Sequence, residues 1–306
     1  MADITCKLGG LTLRNPFVLA SGIMGTSENL LQRAAHQGCG AVTAKSCGLE
    51  ERQGHANPTV LDWGYGLINA IGLTNPGAHV MAGYLARAKV KVHQEGALLF
   101  ASIFAKTIDE FGATAEIIAA IKPDLLEVDI SCPNVGEYGI PFAARAETAA
   151  RVTELVKKVV GNLPVAIKLA PNVADIGGIA KVVEKAGADF ITAVNAMPGM
   201  IINARAGRPV LTNRVGGISG YALKPIALHC VAEIARSVSI PIIGVGGITT
   251  GIDAVEMIMA GATAVGVGSA VYYRGVDVFK VLPGELVTFM NEEGYTDLAS
   301  MRGKAL

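Results

Sequence analysis

The chain has no excess of charge of either sign: lysine plus arginine number 26 and aspartate plus glutamate number 26 among 306 residues. No broad surface field is available to attract nucleic acid or anionic lipid, so any phosphate must be bound locally. There is no CxxC pair. The five cysteines, Cys6, Cys39, Cys47, Cys132 and Cys230, are odd in number and unpatterned, which excludes a disulfide framework and a cysteine metal site and points to a reducing, cytoplasmic setting. None of the five histidines pairs with another at metal-ligand spacing, so no metal is expected. No run reaches the roughly 18 apolar residues needed to cross a bilayer. The opening Met-Ala-Asp-Ile-Thr-Cys-Lys lacks the basic-then-apolar pattern of a leader, which predicts a soluble, unprocessed protein. Charged residues are only 17% and hydrophobic ones 51%, which excludes disorder, and the mean hydropathy of +0.44 leaves room for an apolar surface that meets a partner.

What the chain does have is a recurring strand. Short apolar or β-branched runs ending in small residues occur at Phe17–Gly22, Ala41–Ser46, Leu98–Ile103, Leu125–Ser131, Val165–Pro171, Phe190–Asn195, Pro241–Gly247 and Ala264–Ala270. Helix-period segments lie between them, including Glu28–Gln37, Phe111–Ile121, Ala146–Val160, Ile176–Ala186, Lys224–Ser237 and Ile252–Ala260. Strands alternating with helices imply βαβ units, and nearly continuous apolar strands imply a parallel sheet covered on both faces. Eight such units in one domain spanning 1–306 predict an α/β fold, a (β/α)8 TIM barrel, which typically needs about 250 residues plus insertions. An open doubly wound sheet shares the alternation but usually carries a G-x-G-x-x-G turn, where this chain has Ala20-Ser21-Gly22-Ile23-Met24-Gly25. Gly38, Gly187 and Gly261 close three helices in similar phrases and are expected to be left-handed caps. Ile4–Asn15, with Gly9-Gly10 at its centre, predicts a β-hairpin on the barrel floor. Segments 47–80 and 196–222 lack periodicity and are expected to be long loops over the active site.

In such a barrel the chemistry collects at the C-terminal ends of the strands. The most informative stretch is Leu126–Val135, where an apolar strand runs into Ser131-Cys132-Pro133-Asn134, with Gly136 and Gly139 beyond. A lone cysteine is most often a buried small hydrophobe, but a thiol at a strand end followed by an amide suits proton transfer. Lys45 and Lys168 end otherwise apolar strands, and an ammonium there needs an anionic ligand or an ion pair with Asp129 or Glu127. Gly246-Gly247 and Gly268-Ser269 end the last two strands, where these barrels often hold a phosphate. Asn69, Asn75, Asn134 and Asn195 offer donors and acceptors together, as the edge of a cyclic amide or imide requires, although each alone is an ordinary turn residue.

Taken in order, Lys45-Ser46, Asn69-Ala-Ile-Gly-Leu-Thr-Asn-Pro-Gly77, Ser131-Cys-Pro-Asn134, Ile167-Lys168-Leu169, Asn195, Gly216-Gly-Ile-Ser-Gly220, Gly246-Gly247 and Gly268-Ser269 resemble the dihydroorotate dehydrogenases over nearly the whole chain. Ser131-Cys132-Pro133-Asn134 is similar to the class 1 enzymes, which use a cysteine base. The Arg208–Asn213 segment and Pro241-Ile-Ile-Gly-Val-Gly-Gly247 look most like class 1B, whose members pair with an iron–sulfur flavoprotein that carries FAD and a 2Fe-2S cluster and passes electrons to NAD. The resemblance implies one FMN per chain and oxidation of dihydroorotate to orotate, with Cys132 as catalytic base. It implies that Lys45, Asn69, Ala70, Ile71, Gly72, Leu73, Asn134, Asn195 and Ala196 bind substrate. It further implies that Ser21, Lys45, Ser46, Ser102, Asp129, Lys168, Val194, Gly220, Gly246, Gly247, Gly268 and Ser269 bind FMN, in a homodimer of barrels within a heterotetramer. Cys6, Cys39 and Cys230 are assigned to packing, and Cys47 lies near the expected site without a derived role.

Three positions depart from the family pattern. Asp129 stands where asparagine is usual, Ala196 where a hydroxyl residue is usual, and Asn203 near a usual acid. An aspartate beside an anionic substrate must be neutralised by a lysine or protonated, or else the substrate differs. The rival readings are therefore an oxidoreductase for a related dihydropyrimidine, a class 1A-like homodimer that reduces fumarate, and a silent barrel acting as a binding subunit.

Overall fold

Eight parallel strands close on themselves in the computed structural model of the chain, which describes residues 2–131 and 145–306. They are β1 (Phe17–Leu19), β2 (Ala41–Thr43), β3 (Leu98–Ile103), β4 (Leu125–Asp129), β5 (Val165–Leu169), β6 (Phe190–Ala193), β7 (Ile242–Val245) and β8 (Ala264–Val267). Each pairs with the next in sequence, and β8 returns to pair with β1 through Val265 and Phe17. The expected (β/α)8 barrel is the observed one. All but β7 begin at the expected residue; Pro241 has no N–H for the ladder and offers only its carbonyl to Ile191. Apart from β3, the strands stop two or three residues short of the expected ends, because the chain splays into the mouth there.

Ladder register shows which side chains share a face. Phe100 pairs with Leu125, Ser102 with Glu127, Glu127 with Ala166, Ala166 with Phe190, Asp129 with Lys168 and Lys168 with Thr192. This face is the barrel interior, because Lys168 Nζ on β5 donates across it to Ser21 Oγ, just past β1, at 2.9 Å. Along β3 to β6 the interior is therefore apolar towards the floor, at Phe100, Leu125, Ala166 and Phe190. Towards the mouth it turns polar, at Ser102, Glu127, Asp129, Lys168 and Thr192. Alternation along a strand carries this switch while the outward positions stay apolar and pack on the helices.

The expected helices form at Glu28–His36, Ile108–Ala119, Ala146–Val160, Ile176–Lys185, Lys224–Ala235 and Gly251–Met259, and Ala78–Gln94 and Val278–Glu292 complete the outer ring. Ser27, Thr107, Asp175 and Thr250 cap their helices by accepting from backbone N–H groups of the first turn. Gly38, Gly187 and Gly261 have φ of 106°, 98° and 112°, the left-handed conformation expected of them. The hairpin is present, pairing Cys6–Leu8 with Leu11–Leu13. It covers the floor: Cys6 Sγ donates to Thr263 O just before β8, and a Cβ on Gly9 would meet the Phe190 ring at 2.8 Å.

The two long loop segments differ from expectation. They pair with each other in a four-stranded antiparallel sheet, ordered Met197–Gly199, Gly216–Ser219, Leu67–Asn69, Val60–Asp62. Ile68, Ala70 and Leu211 form a small core beneath it, joined by Leu61, Trp63, Ile201 and Ile218. A separate ribbon pairs Ile202–Asn203 with Arg208–Pro209 at the exposed surface, and carries Asn203 there.

Cys6, Cys39, Cys47 and Cys230 are all buried, as packing cysteines should be. Cys47 lies in the main core, bridging to Ile103, and not on the cavity described below. Burial pushes the thiols of Cys6, Cys39 and Cys47 up to about 12 and that of Cys230 up to about 11. Only a thiolate is nucleophilic. These four cysteines are therefore expected to escape alkylation at pH 8 in the folded protein and to react fully after denaturation, as read by mass spectrometry. Labelling of native Cys47 would contradict this placement.

Candidate active site

The strand ends surround a cavity of about 410 Å³ at the C-terminal mouth. That volume suits a small-molecule ligand. Its floor is the polar interior layer. Ser46 Oγ and Ser102 Oγ share a hydrogen bond of 2.8 Å, and Ser102 Oγ donates to Glu127 Oε1 at 3.0 Å. Glu127 Oε1 lies 3.7 Å from Lys168 Nζ, which donates to Ser21 Oγ. Both charged side chains are nearly enclosed, with 6% and 7% exposure, so each depends on the other for compensation. Of the two carboxylates considered for Lys168 from sequence, Glu127 is the one shown in ion-pair range.

Asp129, which lines the wall, is held by the chain that follows it. Its Oδ1 accepts from Ser131 N at 3.0 Å, from Ser131 Oγ at 2.7 Å and from Asn195 Nδ2 at 3.3 Å. Asn195 Nδ2 also donates to Ser131 Oγ at 3.0 Å, and Asn195 Oδ1 accepts from Ala196 N at 2.8 Å. The ends of β4 and β6 are thus locked together immediately before Cys132. Cys132 and Asn134 lie outside the described residues.

The paired loop sheet supplies the outer wall. Asn69 ends a strand of that sheet and reaches Gly217 O with Nδ2 at 3.4 Å. The following turn is pinned by Arg52 Nε, which donates to Gly72 O at 2.7 Å, while His55 Nδ1 lies 3.1 Å from Ala70 O. Gly72 has φ of 80°, and a Cβ there would meet His55 N at 2.6 Å, so the turn requires glycine. Ile71, Gly72 and Leu73 line the cavity, whereas the Ala70 side chain packs in the small core with Ile68 and Leu211. Asn75 is spent on the loop itself: its Oδ1 accepts from Gly48 N and Gly77 N, and its Nδ2 donates to Leu73 O.

Of the residues expected at the site, the cavity brings together Ser21, Lys45, Ser46, Asn69, Ile71, Gly72, Leu73, Asp129, Lys168, Val194, Asn195, Ala196, Gly220, Gly246, Gly247, Gly268 and Ser269. Ser102 sits one layer below, touching Ser46 and Glu127. Sequence reasoning missed Ile23, Val60, Leu67, Ser219, Leu223 and Tyr272. Val60 and Leu67 come from the unforeseen sheet, whereas Ser219 stands within the Gly216–Gly220 phrase and could have been read from it.

The family model for dihydroorotate dehydrogenase matches residues 3–290. The chain belongs to the dihydroorotate dehydrogenase family. It is 44% identical to a Methanosarcina mazei protein named dihydroorotate dehydrogenase B (NAD(+)), catalytic subunit, over 97% of this chain and 94% of that one. Proteins of the same name from Pyrococcus abyssi and Methanocaldococcus jannaschii are 41% and 42% identical, covering 98% and 94% of this chain and 98% and 93% of theirs.

In this dihydroorotate dehydrogenase family member the glycine-rich end of the mouth is braced by charge. Gly246 and Gly247 have φ of 144° and 74°, and added Cβ atoms would lie 2.5 Å from Ala227 Cβ and from Lys224 Cβ respectively. The loop after β7 is thus pressed onto the start of the helix Lys224–Ala235, which precedes β7 in the chain, and only glycine fits there. Lys224 Nζ meets both Asp253 Oδ1 and Glu256 Oε2 at 2.7 Å. Asp253 Oδ2 accepts from the backbone N–H groups of Thr249 and Thr250, completing a reciprocal cap with the Thr250 hydroxyl. Arg274 donates to Thr249 O and pairs with Glu285, which accepts from Gly251 N. Burial works against the Asp253 carboxylate, but the hydrogen bonds from Lys224, Thr249 and Thr250 outweigh it and hold it below its ordinary 3.8.

A carboxylate whose folded pKa is depressed stabilises the protein above its unfolded value and loses that contribution as pH falls through the folded value. Asp253→Ala is expected to cost about 2 kcal/mol at pH 7, through loss of the cap and of a charged hydrogen bond. In urea titrations the gap from the parent should narrow below about pH 4. A gap that stays constant down to pH 2 would contradict the assignment.

Proposed function

We propose that the chain oxidises (S)-dihydroorotate to orotate in the cytoplasm, in de novo pyrimidine biosynthesis, with FMN bound in the cavity. The electrons pass on to a partner subunit carrying FAD and a 2Fe-2S cluster, and from there to NAD. The observation that carries the reading is the convergence of Lys45 and Lys168 with the glycine ends of β7 and β8 on one cavity, in a chain matched by the family model over residues 3–290. The relatives' names favour the NAD-linked form over a fumarate-reducing homodimer.

The residues present fit FMN. Gly246, Gly247, Gly268 and Ser269 would hold its phosphate, since they line the cavity at the ends of β7 and β8, the position where such barrels bind phosphate through backbone N–H groups. Ser21, Ser46, Asp129, Val194, Gly220 and Lys168 would line its ring and ribityl chain, with Ser102 supporting them from beneath. When bound, a flavin supplies a two-electron acceptor for the hydride leaving C6 of dihydroorotate.

The chain's own side chains do the rest. Lys45, half-buried on the wall, would pair with the substrate carboxylate. Asn69, Asn195 and Asn134 would meet the amide and imide edges, while the turn Ile71–Leu73 shapes the outer rim. Cys132 takes the C5 proton, and the Asp129–Ser131–Asn195 lock holds the chain up to Ser131, the residue before it in sequence. The lock turns Asp129 Oδ1 towards Ser131 and Asn195, and its carboxylate on the cavity wall is one reason to test a related dihydropyrimidine beside dihydroorotate. Ala196 contributes no hydroxyl to the mouth, which leaves room for a related dihydropyrimidine as the second reading.

Anaerobic mixing with dihydroorotate is expected to bleach the flavin rapidly. In Cys132→Ser bleaching should slow by about 10²–10⁴-fold, the contribution typical of a general base. Bleaching by dihydrouracil in preference to dihydroorotate would shift the substrate to the second reading. Rapid reoxidation by fumarate without a partner subunit would overturn the proposed electron route.

A further inference from the structure

Glu127 is left over by the mechanism above: it is buried, charged and directed at Lys168 from below the cavity. A buried carboxylate is costly in a barrel interior, and Ser102, whose hydroxyl donates to it at 3.0 Å, is a small polar residue committed to the same pair. Packing alone would be served by an apolar side chain of similar volume, because a buried ion pair seldom stabilises more than its hydrophobic replacement. An electrostatic effect on what lies above Lys168 is what the pair can supply.

We propose that Glu127 is a positioning residue that holds Lys168 against the cavity floor and offsets its charge, keeping the potential of a flavin bound there low. This rests on the flavin reading of the site. A bare ammonium under the ring would favour the reduced, negatively charged flavin and make it a reluctant donor. A carboxylate 3.7 Å behind the ammonium weakens that bias. Such a pair suits an enzyme whose electrons must move on to NAD, a weak oxidant: the flavin has to be reducible by substrate and still willing to give the electrons up. Ser21 and Asp129 also lie beside Lys168. Ser21 Oγ accepts from its Nζ at 2.9 Å, and Asp129 sits opposite it in the ladder. Both remain when Glu127 is neutralised, and the expected sign follows from the charge lost: removing the negative charge of Glu127 raises the potential.

The test uses the purified, flavin-loaded protein equilibrated against a reference dye under anaerobic reduction. Glu127→Gln, which keeps the shape and an acceptor for Ser102, is expected to move the reduction equilibrium at least tenfold towards reduced flavin, which for a two-electron couple is about 30 mV more positive. Glu127→Asp, which keeps the charge but draws it back by one methylene, is expected to fall between parent and Gln, more than twofold above the parent. An unchanged or lower potential in Glu127→Gln would overturn the proposal. If that variant does not retain flavin, Glu127→Asp decides alone, and a potential within twofold of the parent overturns it. A parent protein that binds no flavin overturns the reading of the site instead, whereas a yellow parent with an unmoved variant potential overturns only the role given to Glu127.

Discussion

Closing eight parallel strands into one barrel makes every strand finish at the same mouth, and strand alternation then sends every second side chain into a shared interior. Near the floor that interior holds Phe100, Leu125, Ala166 and Phe190, which can be packed dry. Near the mouth the same faces carry Asp129 and Thr192 together with Ser102, Glu127 and Lys168, whose burial depends on partners within the layer. The Ser46–Ser102–Glu127–Lys168–Ser21 chain supplies those partners, linking strand ends from opposite sides of the barrel. A charged layer placed there is at once a constraint on folding and the floor of a binding site.

The walls follow from two insertions that the barrel does not need. Residues 60–69 and 197–219 find each other across the mouth and pair as a sheet with its own small core. Another part of the wall is the loop after β7, whose glycines lie against the helix that begins at Lys224 and whose following turn is stitched by Asp253, Arg274 and Glu285. One part of the wall is thus held by long-range strand pairing and another by local charge. The ligand-facing backbone is kept rigid by interactions that do not themselves face the ligand, as preorganised sites require.

The barrel was legible because each strand is a short apolar run followed by a small residue, and because Gly38, Gly187 and Gly261 repeat one helix ending. Strand ends were less legible, since the ladder stops where the chain must turn outward and composition does not change there. The sheet over the mouth was not legible at all: its pairs, such as Ile68 with Ile218, are far apart in sequence, and Gly-rich segments without alternation give no register. Asn69 and Asn75 look alike in sequence, yet one faces the cavity and the other braces a turn. Lys45 and Lys168 were readable as misplaced charges, whereas the choice of Glu127 as partner depended on barrel geometry. Cys47 follows Lys45-Ser46 so closely that only the direction of its side chain removes it from the site.

The measurement that bears most directly on this account is the identity and amount of chromophore released when the purified protein is denatured. One FMN per chain, identified by mass and absorbance, is the predicted result. A colourless protein that takes up no FMN on reconstitution, while still showing the cooperative unfolding of an intact barrel, would contradict it.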